Sequence, residues 1–150
     1  MADATARDVP RELSEHYQPP QTMLRDDRAS TELLGMQVVE MSEGRAVVTM
    51  VVRDDMANGH GIAHGGLVFT LADTAFAMAC NSEGSVTVSS GAEITYFSPT
   101  WVGQELTATA QVRSVRGRSG IYDVQVCADG LVVAEFRGHS RRVRELPNHG

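Results

Sequence analysis

Hydrophobic positions along this chain follow two different periods, and the change from one to the other divides it into elements. Met36–Met41 and Arg45–Arg53 read as two strands joined by a turn at Ser42-Glu43-Gly44. In the second run Ala46, Val48, Met50 and Val52 alternate with Val47, Thr49 and Val51, so both faces are expected to be largely buried. The period then lengthens. Over Gly66–Asn81, Val68, Leu71, Ala72, Ala75 and Ala79 fall at helical spacing, and Phe69, Phe76 and Cys80 add a second apolar stripe. A helix apolar nearly all round is expected to be buried. Four further strand-like runs follow: Val86–Phe97, Gln104–Val115, Ser119–Ala128 and Leu131–Arg142. They are closed in turn by Ser98-Pro99, Arg116-Gly117 and the hairpin dipeptide Asp129-Gly130. No helix separates these four runs, which predicts an antiparallel meander. The order of elements predicts an α+β fold, a long antiparallel sheet wrapped around one central helix.

Upstream of this pattern, residues 23–34 predict a helix stopped at Gly35, a residue that tolerates a left-handed backbone. Residues 1–20 are polar, carry Pro10, Pro19 and Pro20, and have no strong period; a short helix over Arg11–Tyr17 is the only element they suggest. The expected division is an arm over 1–30, one domain over 31–144 and a tail over 145–150.

Composition narrows the function classes. At 150 residues the chain is long enough for one domain with a real core. A formal net charge of −6 argues against nucleic acid as a partner, since affinity there rests on cationic contacts to phosphate. The last third is nevertheless rich in arginine (Arg113, Arg116, Arg118, Arg137, Arg141, Arg142, Arg144), which leaves room for a small anionic ligand. Cys80 and Cys127 form neither a disulfide framework nor a metal spacing, and their apolar surroundings suggest buried free thiols in a reducing compartment. There is no signal-peptide pattern and no run near the ~20 apolar residues of a membrane span. A cytoplasmic protein with no membrane partner is expected.

The chemistry concentrates between Asn58 and Asp73. His64-Gly65-Gly66 opens the long helix, where unpaired N–H groups and the positive end of the dipole favour an anion or an oxygen gaining negative charge. The same run also fits a plain turn into a helix. Asp73 lies two turns further on among Phe69, Leu71, Ala72, Ala75 and Phe76. A carboxylate in that setting is a candidate nucleophile or general base with a raised pKa. Its bland alternative is a buried acid bonded to Thr70 or Thr74. Gly65 and Asp73 are eight residues apart, or ~12 Å along a helix axis. Catalytic groups need contact distance, so the two can act on one bond only if they come from different protomers. Two antiparallel helices about a two-fold axis would bring each Asp73 to the partner's Gly65, which predicts a homodimer with two shared sites.

The other candidates are weaker. Asn58 suits a donor to substrate or a loop tether. His60 and His64 have zinc-like i, i+4 spacing, but the surrounding glycines oppose a regular helix and no metalloprotease Glu follows, so no metal is expected. Gly59-x-Gly61 lacks the rest of a dinucleotide fingerprint. Of Ser89 and Ser90, strand alternation should turn one inward, where a hydroxyl can hold water. No Gly-x-Ser-x-Gly elbow occurs.

Taken together, Asn58-Gly59-His60, His64-Gly65-Gly66, Phe69-x-Leu71-Ala72-Asp73-Thr74-Ala75-Phe76-Ala77 and Cys80-Asn81-Ser82 resemble the hotdog-fold acyl-CoA thioesterases, in particular the phenylacetic acid degradation thioesterases. Leu106–Ala110, Gly120–Asp123 and Phe136-Arg137-Gly138 extend the likeness across Leu34–Arg142. The resemblance implies the hotdog fold, dimers that join their sheets edge to edge, and tetramers made of two dimers. It implies that the Gly65 N–H polarises a thioester carbonyl and that Asp73 of the neighbouring protomer is nucleophile or general base. It further implies that Asn58 and His64 position thioester or water, and that Ser89 or Ser90 orients water. Gly66 and Arg137 are expected on the substrate side, with the arginine-rich strands meeting the phosphates of coenzyme A. CoA is then part of the substrate and no cofactor is expected. The implied activity is hydrolysis of aryl-acetyl-CoA, phenylacetyl or ring-hydroxylated, to free acid and CoA. The alternatives are a hotdog hydratase or dehydratase and a non-catalytic acyl-CoA binding protein.

Overall fold

The computed structural model describes residues 26–82 and 86–143. The short helix expected over Arg11–Tyr17 and the tail over 145–150 lie outside the described residues. Six strands form one antiparallel sheet: β1 (Gln37–Ser42), β2 (Arg45–Val51), β3 (Thr87–Tyr96), β4 (Glu105–Arg116), β5 (Ser119–Ala128) and β6 (Leu131–Arg142). One long helix, α1 (Gly65–Cys80), packs across the sheet. This is the expected α+β architecture, with element ends within two residues of those read from the period.

The spatial order is β1-β2-β4-β5-β6-β3, which corrects the four-strand meander. Of the four strands after the helix, β4, β5 and β6 run as neighbours in sequence order; β3 lies on the far side of β6, and β2 takes the place beside β4. The physical reason is the length of the link after β3. Residues 97–104 are too many for a tight hairpin and instead cross the end of the sheet. There the Ala63 N–H donates to the Thr100 carbonyl at 2.8 Å, and Ile62 and Trp101 form an isolated bridge. The link is thereby tied to the loop that feeds α1. As a result β3 is an outer strand of the sheet, with ten residues along an open edge.

Alternation decides which side chains meet the helix. Ala46, Val48 and Met50 of β2, Leu106, Ala108 and Ala110 of β4, and Val124 and Val126 of β5 are buried against it. Val51, expected inside, is exposed, because the second face of β2 is open where the strand ends. The alanines of β4 share one core with Ala72, Ala75 and Ala79 of α1, and small residues on both layers let the helix lie close to the sheet.

Phe76 fills the gap this leaves over β6. Its ring meets Tyr122 edge-on at 5.5 Å and Phe136 at 5.9 Å. It lies over Gly138, where an added Cβ would fall 2.7 Å from the ring carbons. The glycine of Phe136-Arg137-Gly138 is thus a clearance for Phe76. Gly138→Ala is expected to cost about 1–3 kcal/mol by overpacking, lowering Tm by roughly 3–10 °C; an unchanged melting curve would refute the clearance.

The helix expected over 23–34 is described only from residue 26 on, and its last turn is wider than an α-helix. It is a π-helical turn, Ala29–Leu33, in which the Leu34 N–H donates to the Ala29 carbonyl, and Gly35 ends it at φ +65°. Ser30 is 2 % exposed, so packed structure begins before residue 31. Its hydroxyl bonds the Asp27 carboxylate at 2.8 Å and lies 3.0 Å from the Thr74 hydroxyl. Cys80 is buried as expected, whereas Cys127 is half-buried near the Asp129-Gly130 turn. No helix among the described residues is long and apolar enough to cross a membrane.

Candidate active site

Asn58 and Gly61 close a tight turn ahead of α1. The Gly61 N–H donates to the Asn58 carbonyl at 3.0 Å, with Gly61 at φ +78°. The Asn58 side chain holds the same turn, its Oδ1 accepting from the backbone N–H groups of His60 (2.9 Å) and Ile62 (3.4 Å). With Oδ1 so occupied, Nδ2 remains as a donor, and Asn58 lines the cavity described below.

His64 is the N-cap of α1. It is extended, at φ −61° and ψ 128°, and its Nδ1 accepts from the Gly66 N–H at 3.0 Å. The first four N–H groups of a helix, counted from the cap, lack intrahelical partners. Here three of them find acceptors nearby. The His64 N–H donates to the Met56 carbonyl (2.8 Å), Gly66 to the His64 ring, and Leu67 to the His64 carbonyl (2.9 Å). The fourth, Gly65 N–H, has no acceptor among the described residues. It belongs to a residue in the wall of a cavity of about 510 Å³, lined also by Ile62, Val68, Tyr96, Phe97 and Val133. A bare N–H at the positive end of a helix, on a residue that lines an apolar cavity, is suited to an oxygen that gains charge during reaction.

Asp73 is placed elsewhere. It does not line the Gly65 cavity. It lies on the stripe Gly66, Thr70, Asp73, Ala77, which the chain leaves half-covered or exposed, so the helix is not buried all round as its composition predicts. Thr70 donates to the Gly66 carbonyl and Thr74 to the Thr70 carbonyl, so neither hydroxyl ties Asp73 down. Burial pushes the Asp73 carboxyl above its usual range, and the Asp27 charge adds to the rise. Two turns past it, burial and then Asp73 itself push the Cys80 thiol up to about 12, which keeps it protonated and a poor nucleophile.

The remaining candidates scatter. A bulge between Ser89 and Gly91 interrupts the alternation expected to turn one serine inward, and both Ser89 and Ser90 are exposed. Ser89 sits opposite Ser140, which is buried, and its Oγ donates to the Gly91 carbonyl; Ser90 Oγ donates to the His139 carbonyl. Ser90 lines a separate cavity of about 560 Å³ with Arg116 and His139. Gly66 spends its N–H on His64. Arg137 faces away from the helix, next to core-facing Phe136, and grips Asp123 at 2.7 and 3.2 Å. The structure therefore brings Asn58, His64 and Gly65 together and leaves Asp73, Ser89, Ser90 and Arg137 apart from them within one chain.

Two contributors escape a reading of the sequence. Tyr96 reaches across from β3 and donates its hydroxyl to the Gly65 carbonyl at 2.7 Å. Asp27 stands within electrostatic range of Asp73. Both depend on contacts more than thirty residues apart, which no local spacing announces.

Residues 60–135 match the thioesterase superfamily model. The acyl-coenzyme A thioesterase PaaI of Escherichia coli is 45 % identical over 128 residues, covering 85 % of this chain and 91 % of that protein. The solved E. coli PaaI protein, from the phenylacetic acid degradation operon, superposes with a TM-score of 0.81 over 87 % of this chain and 96 % of its own. A mutant of the phenylacetic acid degradation protein PaaI from Thermus thermophilus superposes with a TM-score of 0.73 at 38 % identity, over 75 % of this chain and 97 % of its own. Sheet order, central helix, glycine-opened helix start and these likenesses agree: the chain belongs to the thioesterase superfamily, among the hotdog-fold acyl-CoA thioesterases of the phenylacetic acid degradation family.

Proposed function

We propose that this acyl-CoA thioesterase hydrolyses aryl-acetyl-CoA esters, phenylacetyl or ring-hydroxylated, at sites shared between two protomers of a homodimer. The observation that carries the reading is the separation of the Gly65 N–H from Asp73. Gly65 lines a cavity; Asp73 lies ~12 Å further along the helix on the stripe its own chain leaves open. That stripe is made of small residues, and β3 has an open edge, so a second copy related by a two-fold axis can cover both. It then sets each Asp73 near the partner's Gly65.

The chemistry follows from this pairing. The thioester carbonyl oxygen accepts from the Gly65 N–H. Asp73 of the neighbouring protomer attacks the carbonyl carbon or takes the proton of an attacking water. The tetrahedral oxyanion is held at the helix start, where a donor of this type is worth ~100-fold or more in turnover. CoA thiolate leaves; where Asp73 has attacked, water then cleaves the acyl–Asp73 anhydride, and in either case the free acid is released. Asn58 Nδ2 and the His64 ring sit beside the carbonyl, and Ser89 or Ser90 orients water. Apolar walls at Ile62, Val68, Phe97 and Val133 suit an apolar portion of the substrate, and the name of the E. coli relative's operon supports an aryl-acetyl group. Arginines supply charge for the CoA phosphates. A tetramer of two dimers, in the cytoplasm, fits the family's habit.

The test is CoA release from phenylacetyl, hydroxyphenylacetyl, benzoyl and medium-chain thioesters. Aryl-acetyl esters are expected to be fastest; no release from any of them leaves an acyl-CoA binding protein. The shared site has its own test. Inactive Asp73→Asn and Gly65→Pro chains, refolded together, should recover roughly a quarter of parental activity, since half the dimers are mixed and each carries one intact site. No recovery would sink the shared site.

A further inference from the structure

We propose that Tyr96 is a positioning residue for the reaction: its phenol, reaching from the end of β3, holds the Gly65 backbone so that the adjoining N–H faces the cavity. The inference deepens the thioesterase reading above and rests on it.

Two glycines in succession open α1, and glycine has the most backbone freedom to lose. A donor that stabilises a developing oxyanion is effective only if it is held in place beforehand. Gly65 is held from both sides. On its N-terminal side the His64 N–H donates to the Met56 carbonyl at 2.8 Å. On its C-terminal side the Tyr96 hydroxyl donates to the Gly65 carbonyl at 2.7 Å. Partial burial pushes that hydroxyl further above its usual range, so it stays a donor.

A second observation ties the pair together. A Cβ on Gly65 would lie 3.2 Å from Tyr96 Cζ and 3.3 Å from its hydroxyl oxygen. The tyrosine reaches the carbonyl because residue 65 has no side chain. The peptide it holds also donates through the Gly66 N–H to His64 Nδ1. Hydroxyl, peptide and imidazole thus form one chain, in which each bond polarises the next. With Nδ1 accepting, the neutral His64 ring carries its proton on Nε2. Tyr96 is 48 % exposed, so the residue is not there chiefly to fill the core.

Tyr96→Phe tests this. The ring stays and the hydroxyl goes. With the preferred thioester, kcat is expected to fall about five- to tenfold, the worth of one ordinary hydrogen bond. KM should stay within about twofold and Tm should hardly move. Amide hydrogen exchange of the segment spanning 64–70, followed by mass spectrometry without substrate, should quicken. In a Gly65→Ala background, where the Cβ presses the phenol away by a few tenths of an ångström, Tyr96→Phe should lose part of its effect on kcat. An unchanged kcat overturns the proposal, as does a rise in KM alone, which would make Tyr96 a wall of the cavity. If the parent hydrolyses no thioester, the functional reading fails separately. The exchange measurement then still decides whether Tyr96 holds Gly65: unchanged exchange overturns it, quickened exchange sustains it.

Discussion

Asp73→Asn is expected to lower kcat by about 10²–10⁴-fold, the range for loss of a catalytic base, while thioester binding stays near the parental level. The amide keeps the shape of the carboxylate and removes its negative charge. The same change should raise stability at neutral pH. Asp73 has a native pKa above its unfolded value, first through burial and then through Asp27. The folded state therefore holds the proton more tightly than the unfolded state, and ionising Asp73 counts against folding. That penalty is fully present above the raised native pKa. It shrinks as pH falls through that pKa and is gone below the unfolded value of 3.8. The Asn variant should accordingly melt higher than the parent at pH 7 and level with it in acid. The rate of the parent should itself fall on the acid side at a pH above the ordinary aspartate range. Undiminished turnover in Asp73→Asn would remove the carboxylate from the mechanism. A lower Tm at pH 7 would mean the carboxylate is satisfied by a partner.

Gly65→Pro is the second large effect. Proline deletes the N–H that the mechanism assigns to the oxyanion, and kcat is expected to drop by roughly 10²–10³-fold. The substitution suits the backbone unusually well. Proline is favoured at the first position of a helix, where its missing N–H costs no intrahelical bond. The residue before it must be extended, and His64 already is, at φ −61° and ψ 128°. The ring must press on Tyr96 at about 3.2 Å, so a small shift of that side chain is expected. Circular dichroism and Tm should stay near the parent while turnover collapses. Retained turnover would mean that the oxyanion lies elsewhere; loss of the helix signal would mean that the N-terminus of α1 needs glycine for structure.

Much of the architecture was legible before the fold. Strands and helix follow from the switch between periods of two and 3.6, which are properties of neighbouring residues. Gly35 adopts the positive φ that its place after a helix predicts. The separation of Gly65 from Asp73 is equally local, since helix rise converts residue number directly into distance. The place of β3 was not legible, because which strand it joins depends on where the 97–104 link is tied down. Nor was the choice between Ser89 and Ser90, since the bulge that breaks the alternation arises from pairing with β6.

By itself, then, the sequence determined the elements, the glycine-opened helix and the acid two turns inside it, because short-range spacing sets backbone period and axial distance. The tertiary structure alone decided that β3 lies outermost beside β6, that Gly138 clears room for Phe76, and that Tyr96 bonds across thirty-one residues to Gly65. It also decided that Met56 and His64 take up three of the four bare N–H groups at the helix start and leave Gly65 the fourth. These contacts depend on how separate segments are folded against one another. Packing selects them from many pairings that the local pattern permits equally.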